Sequence, residues 1–343
     1  MNVLFLIGNG FDINVELKTH YTDVLDAYLK IPSNDPRIEK FKINIKSDST
    51  LWSNFERTMG IYTENFISEN VDDYCFCIKN FREFLVKYLR NEEARIDYGA
   101  NIGNIISIFR TSIGKFYNKL TPLDKGTFTS IIEKENSITY NFVTFNYTNV
   151  LDKCIEVLTS KGRGFDTHLL NRSNSNTSIT DYIGKILHIH GTTEVDMIMG
   201  VDNVEQIKNK ELSNNKKLER LIIKPSINKK RKNLNHEDTL SLIDDSQIIC
   251  LFGLSLGETD KCWWEKIGTW LKDTDNKHLV IFEYIQGLNS IHPDESIENE
   301  ENIIDKFFLS ANITQEQDKN KCEGRIHIGI NTNMFKIDLI KKD

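Results

Sequence analysis

Five apolar residues, Val3 to Ile7, run directly into Gly8-Asn9-Gly10-Phe11-Asp12, and helix-spaced apolar residues follow at Val24, Leu25, Tyr28 and Leu29. An apolar run broken by two glycines and continued by a helical period reads as a buried parallel strand, a tight turn and a helix. Glycine lets a backbone approach a phosphate closely, and a helix start offers free N–H groups and a positive dipole end. Tight turns after strands also use glycine for geometry alone, so this turn by itself fits a nucleotide site and a plain structural turn equally.

The rest of the chain decides what kind of sheet that strand joins. Ile31-Pro32 to Asp35-Pro36 ends the first helix, because proline cannot continue it. Residues 37–136 show helical periods only: Leu51, Phe55, Met59 and Tyr62; Tyr74, Ile78, Phe81, Leu85 and Leu89; Ile102, Ile105, Phe109, Ile113 and Phe116. That stretch is far longer than a simple crossover needs and reads as an inserted helical subdomain. The α/β pattern resumes with a strand over 137–145, a helix over 149–160, a Gly-, Asn- and Ser-rich loop over 161–180 and a strand over 185–190. Residues 197–202 read as an edge strand or extended loop, and 208–232 as a basic segment, helical to Leu221 and irregular around Pro225. Strands follow over 247–252, 278–284 and 325–330, with an acidic stretch over 294–305.

About six strands separated by helices imply an α/β fold with a doubly wound, mostly parallel sheet covered on both faces. Residues 1–36 and 137–343 form a Rossmann-like domain on this reading, and 37–136 the inserted helical subdomain. Ligands of such sheets bind outside the carboxyl ends of the strands. The rule gathers Gly8 to Asp12, Asn146 to Thr148, His190 to Thr192 and Gly253 to Ser255 on one edge.

Composition narrows the class. A net charge of -7 argues against nonspecific nucleic-acid binding by the whole surface. The first strand starts too early for a signal peptide to precede it, and no run nears 18 apolar residues, so the expectation is a cytoplasmic protein without a membrane span. Six scattered cysteines (75, 77, 154, 250, 262 and 322) lack a C-x-x-C pair and read as reduced core residues. The ten Lys or Arg against two Glu between Lys208 and Lys232 carry no aromatic stacking pattern. A solvated face or a contact with another subunit, as in a homo-oligomer, is favoured there over nucleic acid.

Taken in order, the segments Leu6-Ile-Gly-Asn-Gly-Phe-Asp12, Tyr21-Thr-Asp23, Trp52-Ser-Asn-Phe-Glu56, Thr144-Phe-Asn-Tyr-Thr148, Ile189-His-Gly191, Gly200-Val-Asp202 and Gly253-Leu-Ser-Leu-Gly-Glu-Thr-Asp260 resemble the AbiH family of phage abortive-infection proteins, over the whole chain. More distantly the same order is similar to sirtuin-like NAD-binding domains. What the resemblance implies is an anti-phage effector with NAD as ligand or substrate and a phage-derived trigger. Gly8 and Gly10 would line the phosphates, with Asn9 and Phe11 in the same turn. Asn146 would sit beside the nicotinamide ribose, flanked by Tyr147 and Thr148. His190, followed by Gly191, would be the base, and Gly253 and Ser255 would hold the adenosine side. The chain departs from the pattern at residues 14–19, which lack the Gly-Leu/Ile-Pro usual there, and at Thr148, which replaces an acidic residue. It also lacks the sirtuin zinc cysteines, so deacetylation is not expected.

The chemistry suits NAD hydrolysis to nicotinamide and ADP-ribose. An imidazole with pKa near ~6.5 takes a proton at neutral pH. Asn146 can orient the ribose or the attacking water, and Asp12 can stabilise the cation that develops. Two alternatives stand beside it. His188 and His190 have metal-ligand spacing, which with Asp202 or Asp260 would make a metal-dependent nuclease, although no metal is expected. The other is a nucleotide-sensing module without catalysis. Glu56, in its helix, is either a site acid or a salt-bridging residue. Trp263 and Trp264 read as packing residues.

Overall fold

The structure is a computed structural model that describes residues 1–343 apart from 53, 163, 173–174, 233, 289–291, 340 and 342–343; at 49, 167, 169–172 and 175–176 it describes the backbone alone. Seven strands form one sheet: β1 (Asn2–Ile7), β2 (Thr139–Thr144), β3 (Gly164–Arg172), β4 (Ser175–His188), β5 (Ile248–Phe252), β6 (His278–Glu283) and β7 (Ile326–Ile330). Their order is β3-β4-β2-β1-β5-β6-β7, and every neighbouring pair is parallel except the antiparallel β3 and β4.

The expected mostly parallel α/β sheet is therefore present, with one strand more than the sequence suggested. The extra strand comes from the stretch read as a loop, residues 161–180, where β3 and the first half of β4 pair from Gly164 to Arg172. Gly, Asn and Ser do not exclude an antiparallel edge pair, which needs only one covered face and no continuous apolar run. Residues 163 and 173–174 of that stretch, like Ser53 of the Trp52 to Glu56 motif, lie outside the described residues. Residues 197–202 are not a strand: Val201 alone makes a parallel bridge, to Ile223. The basic segment is not irregular at Pro225 either, since helix Lys224–Arg231 begins there. Proline in a first turn gives up an N–H that has no intrahelical partner anyway.

The sheet is buried on both faces, as its apolar strands require. On one face Val3, Phe5 and Ile7 meet Phe109, Ile113 and Phe116 around helix Ile102–Gly114. On the other, Leu4 and Leu6 meet Trp264, Ile267 and Trp270 of helix Lys261–Asp273. Phe5 stacks on Phe142 at 5.5 Å and meets Phe116 edge-on at 6.0 Å, pairs worth about 0.5–1.5 kcal/mol each beyond area burial. A third core joins Phe55 and Met59 of helix Phe55–Tyr62 and Phe81 and Leu85 of helix Val71–Ala94 to Leu221, Ile222 and Ile223.

Register places the site. Ile7 is level with Thr144 on β2 and Phe252 on β5, and Thr144 is level with His188 on β4. The carboxyl ends of four adjacent strands thus stop at one height, and the residues just past them share one edge.

Candidate functional site

A cavity of about 1110 Å³ lies along that edge, under the helical layer. Gly8, Asn9, Gly10 and Asp12 line it from the end of β1, Asn146, Tyr147 and Thr148 from β2, His190 from β4, and Gly253 and Ser255 from β5. Ten of the twelve residues singled out in the sequence meet there. Phe11 does not reach it, being fully buried against Phe335 at 5.6 Å and Phe109 at 6.1 Å. Gly191 does not line it either; its φ of +70° shapes the turn after His190, where an added Cβ would stand 2.1 Å from the Asp196 carbonyl oxygen.

The glycine turn is built by backbone contact. Gly8 N–H donates to the Phe252 carbonyl at 2.9 Å, Gly10 N–H to the Gly253 carbonyl at 3.0 Å, and Phe11 N–H to the Gly8 carbonyl at 2.9 Å. Asn9 donates from Nδ2 to the Thr19 carbonyl at 2.8 Å, holding the chain after the first helical turn against this loop.

Asp12 does not cap its helix. It is 2% exposed, and its Oδ2 accepts from the Thr148 hydroxyl at 2.7 Å. Burial pushes its carboxyl up to about 7, against the lowering by the Thr148 hydroxyl; Glu93 adds to the rise, and the neighbouring Asn146 amide and His188 oppose it. Its Oδ1 is buried without a hydrogen-bond partner, as are Oδ1 and Nδ2 of Asn146 and Nδ1 of His190. Buried polar atoms are normally paired, so four orphans from three residues on one cavity point to a polar ligand.

The two histidines are built differently. Both ring nitrogens of His188 face acceptors, Nδ1 the Asn146 carbonyl at 3.1 Å and Nε2 the Asp152 carboxylate at 2.8 Å. These bonds raise its pKa against the opposing effect of burial, the largest single influence on it. His188 therefore braces the Asn146 backbone, with both ring nitrogens against protein partners. His190 presents Nε2 to Asp260 Oδ1 at 2.7 Å, which fixes the proton on Nε2 and leaves the lone pair on Nδ1.

Behind His190 lies a buried charge cluster. Lys224 is 3% exposed and donates from Nζ to Glu56 Oε2 at 2.6 Å, Asp260 Oδ1 at 3.0 Å and the Thr259 carbonyl at 3.2 Å. Tyr147 donates its hydroxyl to Glu56 Oε1 at 2.7 Å. Lys224 and His190 hold the Asp260 carboxyl well below the usual carboxylate range although burial, the largest influence, pushes the other way. The two carboxylates hold the Lys224 ammonium above the usual lysine range, likewise against burial. The ammonium also lies 3.5 Å from His190 Nε2.

Glu56 is thus a site residue that reaches in from the helical layer. Lys224 is one the sequence reading missed, as is Lys336 on the cavity wall. The signal for Lys224 was available: it follows three consecutive apolar residues, Leu221 to Ile223, and precedes a proline, unlike the other cations of the segment. Trp264 stacks on Phe145 at 5.5 Å and donates from Nε1 to the Gly257 carbonyl at 2.9 Å, which makes it a packing residue on the cavity wall.

A family model described as "Bacteriophage abortive infection AbiH" matches residues 4–282, a span that holds Asp12, Glu56, Asn146, His190, Lys224 and Asp260. No curated protein matches the chain.

Proposed function

Since the chain belongs to the AbiH family of bacteriophage abortive infection proteins, we propose that it is a defence effector whose cavity binds NAD and hydrolyses it to nicotinamide and ADP-ribose once a phage-derived trigger releases it. The observation that carries this reading is the set of buried, unpartnered polar atoms of Asp12, Asn146 and His190 on one cavity at the carboxyl ends of a parallel sheet. The volume of about 1110 Å³, just above the ~300–1,000 Å³ usual for small-molecule sites, suits a ligand as large as a dinucleotide.

The lining holds the acids Asp12, Glu16, Glu56, Asp260, Glu283 and Asp338; Lys224 offsets part of the charge of Glu56 and Asp260, and Glu16 pairs with Lys341 at 3.3 Å. Lys336 is the one Lys or Arg among the described lining residues and supplies a counter-charge for the pyrophosphate.

In the reaction the bond between ribose C1′ and the nicotinamide nitrogen breaks, its electron pair leaves with nicotinamide, and a water oxygen adds to C1′. His190 Nδ1 takes the water proton. Asn146 orients the water or the ribose hydroxyls through its amide. Asp12, poised between acid and carboxylate near pH 7, offsets the positive charge that grows on the ribose in its ionised form.

Incubating the purified protein with NAD, alone and with lysate of phage-infected cells, and measuring nicotinamide and ADP-ribose by chromatography tests the reading. Equal release of both products is the expected result. Absence of turnover under every condition, including the infected lysate, overturns it.

A further inference from the structure

Asp260 Oδ1 is shared. The same oxygen lies 2.7 Å from His190 Nε2 and 3.0 Å from the Lys224 ammonium, which also holds Glu56 at 2.6 Å and itself lies 3.5 Å from Nε2. The three partners come from three distant parts of the chain: Glu56 from helix Phe55–Tyr62, Lys224 from the start of helix Lys224–Arg231, and Asp260 from the turn after β5. We infer that Lys224 is a positioning residue for His190: by balancing Asp260 and Glu56 it keeps both ionised, so that Asp260 accepts the Nε2 proton and the lone pair stays on Nδ1, facing the site.

Lys224 and His190 are both buried, so the charges packed around them have to balance locally. Two carboxylates and one ammonium leave a single negative charge, which a neutral imidazole satisfies by donating from Nε2. A buried carboxylate without a counter-charge is costly, and the cheapest remedy is a proton. With the ammonium removed, Glu56, Asp260 and His190 share the proton that relieves the cluster, and to the extent that His190 takes it the ring carries protons on both nitrogens and ceases to be a base. The other titratable groups facing the cluster do not relieve this. Tyr21, Tyr147 and Cys262 stay protonated, because burial pushes each of them up. Asp202, beside Cys262 and Asp260, is a further acid, raised by burial. A purely structural Lys224 would tie the helical layer to the sheet edge and leave the titration of His190 unchanged.

The inference rests on His190 being the base of the proposed reaction, and its test is independent of NAD. The full-length protein is labelled on histidine, and the pH titration of the His190 ring is followed by NMR, assigned by the signal lost in His190→Gln. In Lys224→Met the midpoint is expected to move up by about one pH unit or more, since a neighbouring charge within hydrogen-bond distance shifts a pKa by about 1–3 units. In Glu56→Gln it moves down, because one carboxylate is gone while the ammonium stays. In Lys224→Met/Glu56→Gln it returns toward wild type. An unmoved His190 titration in folded Lys224→Met overturns the inference. Should that variant fail to fold, an unmoved titration in Glu56→Gln overturns it instead. A normal His190 response in a protein that never consumes NAD separates the two conclusions: the positioning role stands and the NAD reading falls.

Discussion

The amide of Gly10 donates to the carbonyl of Gly253 at 3.0 Å, and the two backbones approach so closely that a Cβ on Gly10 would stand 2.5 Å from the Gly253 Cα. Two strand-end turns, 243 residues apart in the chain, therefore press directly on one another. This contact gives the glycines of the first turn a duty that precedes any ligand: they let β1 and β5 end side by side with no side chain between them. The Gly8 and Gly10 amides are engaged by the β5 end, so a phosphate at this turn would be met by other groups of the cavity.

That contact predicts a large stability loss in Gly253→Ala. Its φ of +66° is a left-handed conformation that costs an L-residue about 1–2 kcal/mol, and the new Cβ would also lie 2.6 Å from Gly10 Cα, so backbone must shift. Overpacking of that kind costs about 1–3 kcal/mol more. Denaturant unfolding should show a loss of several kcal/mol, whereas Gly257→Ala, with an ordinary φ of -71° and its nearest contact at 3.4 Å, should be nearly neutral. Equal effects of the two substitutions would contradict this account of the turn.

On the proposed reaction, His190→Ala should lower NAD turnover by about 10²–10⁴-fold, the usual worth of a general base. Asp260→Asn should lower turnover by a similar factor with little change in KM. The substitution removes the negative charge that holds the ring proton on Nε2, which weakens Nδ1 as a base. His190→Ala protein that folds normally and still consumes NAD at the wild-type rate would remove His190 from the mechanism.

What the sequence could convey follows from which forces are local. β1, β5, β6 and β7 are buried on both faces, so their apolar runs stand out, and the rule about strand ends then leads to Gly8, Asn146, His190 and Gly253, which line one cavity. The hairpin of β3 and β4 escaped because an antiparallel pair at an edge stays polar along much of its length, and pairing across a turn leaves no composition signal. Lys224 escaped for a different reason. A cation among ten in a charged segment looks solvated, and nothing nearby reveals that its partners are Glu56, 168 residues away, and Asp260, 36 residues away.

The far edge of the sheet carries its own pH dependence. His278 donates to or accepts from His327 through Nδ1 and Nε2 at 3.0 Å, and His327 Nδ1 meets Asp124 Oδ1 at 2.7 Å. Burial lowers His278 to about 4, with His327 and Arg325 adding to the shift. The unfolded chain protonates His278 below about 6.5. The folded protein resists until about 4, so stability is full above pH 6.5 and declines as pH falls toward 4. His278→Gln should flatten that decline in melting temperature. Parallel pH curves for the two proteins between pH 6.5 and 4 would show that His278 is not responsible.

Asp12 should behave in the opposite sense. Its carboxyl titrates at about 7 in the folded protein against 3.8 ordinarily, so between those values the folded state holds a proton that the unfolded state has lost. Stability attributable to Asp12 is intact below pH 3.8, falls as pH rises toward 7, and is lost above it. A shift of this size in a fully buried group corresponds to a few kcal/mol, on the order of 1.4 kcal/mol per unit. Asp12→Asn keeps an acceptor for the Thr148 hydroxyl while removing the charge. The variant should match wild type in unfolding free energy near pH 4 and exceed it by a growing margin up to pH 8, while losing NAD turnover at every pH because the ribose cation has no carboxylate to face. The two readouts separate the roles. A stability gain without loss of turnover would mean that Asp12 is buried at a cost yet plays no part in catalysis, and a loss of turnover without the stability gain would mean that its carboxyl is already ionised at neutral pH in the folded protein.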